Sequence, residues 1–66
     1  MRLTVNGEAI EFLGTPTVAA LVISLDLNPK KVAVERNLEI VPRSAYAATP
    51  LVEGDRIEIV HFIGGG

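Results

Sequence analysis

The sequence contains no cysteine, no tryptophan and one histidine, and aromatic residues make up only 5% of it. Without cysteine there can be no disulfide staple, no thiolate metal ligand and no thiol nucleophile. The single histidine, His61, has no serine or cysteine paired with it, so an acid–base or acyl-transfer site of the chain's own is not expected, and it reads as a surface residue. No metal-ligand spacing is present. Six Lys and Arg against eight Asp and Glu give a net charge of −2. That balance argues against a phosphate backbone as partner, so no nucleic acid is expected. No apolar run approaches the roughly 18 residues that span a bilayer. No charged segment leads into an apolar one at the start either, so neither membrane nor export is expected and the cytoplasm is the expected location.

What is present is a short aliphatic chain. Its 66 residues are 48% hydrophobic, enough for one small domain that buries only about 60% of the surface exposed when unfolded. Stability therefore rests on Val, Ile and Leu packing rather than on large rings. Arg2 to Val5 alternates, Asn6-Gly7 is a strong hairpin signal, and Ala9 to Leu13 returns as a second strand. Leu3, Val5, Ile10 and Phe12 then share the core side. Thr17 is a helix cap, and Val18, Leu21, Val22 and Leu25 form the stripe that lays the helix on a sheet, with Ile23 off it. Asp26-Leu27-Asn28-Pro29 ends this helix. Val32 to Glu35 and Glu39 to Val41 read as strands around an Arg36-Asn37 turn, the second stopped by Pro42. Arg43 to Thr49 reads as an irregular or 3₁₀ segment, with Tyr46 at one edge of the core and its hydroxyl at the surface. Glu53-Gly54-Asp55 is a turn before a last strand, Arg56 to Phe62. The carboxylates, Asp55 included, are expected on a solvated surface.

This order of elements predicts an α+β fold of the β-grasp type, a mixed sheet of four to five strands with one helix across a face. By analogy with that fold, the first and last strands lie parallel at the centre. The last strand points Ile57 and Ile59 at the helix, so Arg56, Glu58, Val60 and Phe62 face the other way. Val60 and Phe62 then form an apolar patch beside the end of the chain, which with Ile63 is the expected partner contact.

Beyond that strand stand Gly64, Gly65 and Gly66. Residues 1–63 form the expected domain, and 64–66 a flexible tail. Three glycines lack any Cβ, so they fit a channel too narrow for a side chain and extend roughly 10 Å at ~3.3 Å per residue. No helix follows them to make a phosphate-binding loop. The group such a tail delivers is the Gly66 carboxylate. A carboxylate is a poor electrophile at neutral pH, so its use as an acyl donor requires activation by a partner enzyme, typically as an adenylate made from ATP.

Three stretches, Asn37-Leu38-Glu39-Ile40-Val41-Pro42-Arg43, Gly54-Asp55-Arg56-Ile57-Glu58-Ile59-Val60 and Phe62-Ile63-Gly64-Gly65-Gly66, together with Thr17-Val18, resemble the sulfur carrier proteins of thiamine biosynthesis. These are ubiquitin-like β-grasp domains ending in Gly-Gly, and the resemblance covers essentially the whole chain. Members often have tryptophan where Tyr46 falls. The resemblance implies that Gly66 is adenylated by a ubiquitin-activating-like adenylyltransferase using ATP and Mg²⁺, then converted to a thiocarboxylate. Its sulfur would come from a cysteine desulfurase system, and thiazole synthase would accept it. Gly65 and Gly66 carry over as the functional pair and Gly64 as spacer; the chain would be a cosubstrate with no bound cofactor, not an enzyme. Two alternatives stand beside this reading: the sulfur carrier of another pathway, such as the small molybdopterin synthase subunit, and a non-covalent β-grasp interaction module with an inert tail.

Overall fold

The computed structural model describes residues 1–62. Within them the chain forms strands β1 (Arg2–Val5) and β2 (Glu8–Glu11), helix α1 (Val18–Ser24), then strands β3 (Val32–Arg36), β4 (Glu39–Val41) and β5 (Arg56–His61). Short 3₁₀ turns at Pro29–Lys31 and Arg43–Ala45 join them. The sheet order is β2-β1-β5-β3-β4. Strands β1 and β5 pair in parallel at its centre, and the other neighbours are antiparallel. The expected β-grasp arrangement is present.

The opening hairpin turns on Asn6 (φ 50°) and Gly7 (φ 81°), the left-handed pair that a tight two-residue hairpin needs. Asn6 does more than turn the chain. Its side chain accepts from the Ile59 N–H at 2.7 Å and donates to the Ile59 carbonyl at 3.1 Å, tying the hairpin tip to β5. The β3–β4 turn uses Asn37 (φ 51°) and Leu38 (φ 70°), so Arg36 is still strand and the turn lies one residue later than the sequence suggests.

Thr17 caps α1, its hydroxyl accepting from the Ala20 N–H at 3.2 Å. Val18, Leu21 and Val22 are buried in one core with Leu3, Val5, Phe12, Val32, Val34, Val41, Leu51, Ile57 and Ile59. Ile10 only packs against its edge, and Leu25 does not complete the stripe. The helix stops at Ser24, because Asp26 turns left-handed (φ 60°) and its N–H bonds the Ile23 carbonyl while Leu27 N–H bonds that of Val22. Those bonds form a Schellman ending and leave Leu25 at the rim, 37% exposed.

Two further expectations are corrected. Tyr46 is buried rather than peripheral, and its hydroxyl donates to the Val32 carbonyl at 3.0 Å inside the protein. A buried phenol needs such a partner, and the strand supplies it. Asp55 is not a surface carboxylate but is 3% exposed. It accepts from Val52 N–H (2.9 Å), Asn37 Nδ2 (3.0 Å) and Arg36 Nε (2.8 Å), fastening the turn before β5 to the β3–β4 turn. Burial pushes its carboxyl up. The hydrogen bonds from Val52, Asn37 and Arg36, with the Arg36 charge, outweigh that and hold it below the usual range.

Candidate functional site

The central strand ends at the edge of the face that the helix leaves open. On β5 the burial alternates as expected: Ile57 and Ile59 are covered, Arg56 is exposed and Glu58 half-buried. Val60 is 62% and Phe62 42% exposed, so the apolar patch anticipated from the alternation is open to solvent. Strand β5 ends at His61, but the Phe62 N–H still bonds the Lys31 carbonyl at 2.7 Å, which holds the backbone in line one residue further. His61 is exposed.

The ladder register shows what surrounds the patch. Ala33 lies opposite Val60, Glu35 opposite Glu58, and Ile40 opposite Glu35 on the other side. Directly opposed residues share a face, so these side chains form one surface across β5, β3 and β4. Ile40 is 70% exposed and stands at the sheet edge in the same row as Glu35 and Glu58. The sequence carried a signal for it, since Val41 must face the core and its neighbour must then face out. Of the expected site residues, the structure thus brings Val60 and Phe62 together. Ile63 and the tail Gly64, Gly65 and Gly66 lie outside the described residues, as does the boundary expected after residue 63.

Among the described residues no group of three or more His, Asp or Glu could hold a metal ion. Nor is any of their helices long and apolar enough to cross a membrane. An open cleft beside the opening hairpin is lined by Val5, Ile10, Leu25 and Leu27 together with Asn6, Gly7 and Glu8. It lies at the hairpin tip and contains none of the residues at the end of β5.

A five-stranded mixed sheet with parallel central strands, one capped helix and an apolar patch at the end of the last strand defines a ubiquitin-like β-grasp domain. Comparison with known proteins takes the assignment further. Residues 3–66 match the ThiS family, and the chain belongs to that family. It is 43% identical over 65 residues to the sulfur carrier protein ThiS of Bacillus subtilis, covering 97% of this chain and 98% of that one. A thiazole synthase of Paramagnetospirillum magneticum is 54% identical over 66 residues, all of this chain but 20% of that protein, so the chain spans a fifth of this relative's length. The crystal structure of the thiamine biosynthesis protein ThiS from Geobacter metallireducens superposes with a TM-score of 0.84 at 38% identity, covering all of both chains.

Proposed function

We propose that this chain is a sulfur carrier for the thiazole branch of thiamine biosynthesis, a protein cosubstrate rather than a catalyst. Family membership that runs through residue 66 carries this reading. The chemistry begins at the Gly66 carboxylate. A ubiquitin-activating-like adenylyltransferase transfers AMP to it from ATP, with Mg²⁺, and pyrophosphate leaves. A sulfur nucleophile drawn from a cysteine desulfurase system then attacks the activated carbonyl. The C–O bond to AMP breaks and AMP leaves as a C–S bond forms; a thiol reductant then cleaves the S–S bond that a persulfide donor leaves on the acyl group, and the resulting thiocarboxylate passes its sulfur to thiazole synthase. ATP and Mg²⁺ belong to the activating partner, and such ATP-dependent chemistry suits the cytoplasm.

The fold supports this reading by aiming the end of the chain. Strand β5 is hydrogen-bonded on both sides, to β1 and β3, so its direction is fixed by the most supported part of the sheet. Gly64 and Gly65 serve as the thin lead to Gly66, and Val60, Phe62 and Ile63 make the partner contact. Each partner thus grips an apolar surface on a rigid strand and receives a reactive group at the end of a slender one.

Deleting Gly66 tests the assignment. Sulfur transfer should be abolished while affinity for the partner falls little, because the docking residues are intact. The Gly66-deleted chain still ends in a carboxylate, one residue short on Gly65, so thiazole formation at the normal rate would refute the requirement that the reacting carboxylate stand at Gly66.

A further inference from the structure

The open face carries a charge arrangement that folding does not require. Glu35 and Glu58 are directly opposite each other in the β3–β5 ladder, and like charges so placed oppose sheet formation. Glu58 has a loose contact with Arg56 on its own strand at 3.9 Å. The other ion pairs among the described residues are Met1–Glu11 and Arg36–Asp55, so Glu35 has none. Two residues nearer the end of the strand comes the apolar row of Ala33 and Val60. Next is Phe62, bonded to the carbonyl of Lys31, whose own side chain is exposed. Arg56, on the same face beyond Glu58, offsets part of that charge, so a net acidic row, an apolar middle and the exposed Lys31 of the 3₁₀ turn before β3 follow one another toward the end of the chain.

Resting on the function proposed above, we infer that the two charged ends set the direction in which the chain docks on thiazole synthase. Glu35 and Glu58 together receive a cationic side chain, best an arginine whose planar fork can bridge two carboxylates. Lys31 meets an acidic group, and Val60 and Phe62 cover an apolar patch between them. Orientation matters because the chain continues toward Gly66 from Phe62, which is bonded to Lys31. A complex docked the other way round would point it away from the acceptor, and like charges would then meet at both ends.

Two observations favour thiazole synthase as the occupant. A thiazole synthase relative contains a region 54% identical to the whole of this chain, amounting to 20% of its length, so there the two are covalently joined. Joining raises the effective concentration enough for a weak contact to suffice. The strip is also small. Four residues at ~3.3 Å by three strands at ~4.8 Å is roughly 200 Å², against about 800 Å² per partner in a stable interface. A contact of that size depends on charge for its speed and direction more than on area for its strength.

Association and dissociation rates of the full chain with the thiazole synthase of the same organism, at low and at high salt, test this. The double variant Glu35→Gln/Glu58→Gln should associate about tenfold more slowly at low salt, the deficit shrinking as salt rises, with dissociation little changed. Lys31→Gln should act the same way more weakly. Val60→Ser should instead speed dissociation and leave association alone. Circular dichroism melting confirms that each variant is folded, and the double variant should melt no lower than the wild type. If Val60→Ser weakens binding while the charge variants associate at the wild-type rate with the wild-type salt dependence, the orienting role is wrong and the docking face stands. If Val60→Ser binds like the wild type, the face is not used and both fail. A stable dimer of the isolated chain, lost in Val60→Ser, would give the face to a second copy and overturn the inference.

Discussion

Replacing Asp55 by alanine tests the account of how the central strand is held. In the folded chain its carboxylate accepts from Val52 N–H, Asn37 Nδ2 and Arg36 Nε. Removing it strands two neutral donors, at roughly 1 kcal/mol each. It also takes the partner from Arg36, a contact worth roughly 1.5–3 kcal/mol when charge-assisted. The Arg36 side chain is 29% exposed, however, and reaches water to replace part of that bond. The expected loss is about 3 kcal/mol, a large share of the roughly 3–10 kcal/mol that a domain of this size has in total. Urea unfolding at pH 7 measures it. The pH dependence gives a second check. The folded carboxyl titrates below its ordinary value, so its contribution is fully present above the unfolded pKa of about 3.9 and is lost as pH falls through the folded value. The gap between wild type and Asp55→Ala should narrow in acid. A loss below about 1 kcal/mol at neutral pH, or a gap that does not shrink on acidification, would refute the reasoning.

Other perturbations probe separate links. Asp26→Gly should stabilise by about 0.5–1 kcal/mol, because glycine takes the left-handed Schellman position without strain and the substitution removes a negative charge from a helix C-terminus; thermal melting should rise by a few degrees. Tyr46→Phe should cost about 1–2 kcal/mol in urea unfolding, since it leaves the buried Val32 carbonyl without its phenolic donor. Gly65→Ala should leave stability unchanged and slow adenylation, read as ATP-dependent pyrophosphate release with the activating enzyme. Normal adenylation of that variant would contradict the narrow-channel argument.

The features legible in the sequence were those written in short stretches. Asn6-Gly7 announced its hairpin, Thr17 its helix, and the alternation along Arg56 to Phe62 told which side chains face the helix and which stay open. The exposure of Val60 and Phe62 was read that way. Asp55 was not, because its partners Arg36 and Asn37 lie 19 and 18 residues away and meet it only when two turns are folded together. Tyr46 was misplaced for the same reason, its acceptor being the Val32 carbonyl on another element. Leu25 shows a different failure. The stripe was real, but an aspartate took a left-handed conformation that glycine usually marks, and the helix ended before the stripe did. The Glu35–Glu58 pairing needs the register between strands that bring together residues 23 positions apart, which no local pattern contains.

The central claim is that the carboxylate of Gly66 carries sulfur. Intact-mass measurement after incubation with a ubiquitin-activating-like adenylyltransferase, ATP, Mg²⁺ and sulfide tests it most directly, with fragmentation to locate the change. Replacement of one oxygen by sulfur at Gly66 is the expected result, dependent on ATP and absent when Gly66 is deleted. An unchanged mass with an enzyme that demonstrably binds the chain through Val60 and Phe62 would contradict it and leave a non-covalent β-grasp module with an inert tail.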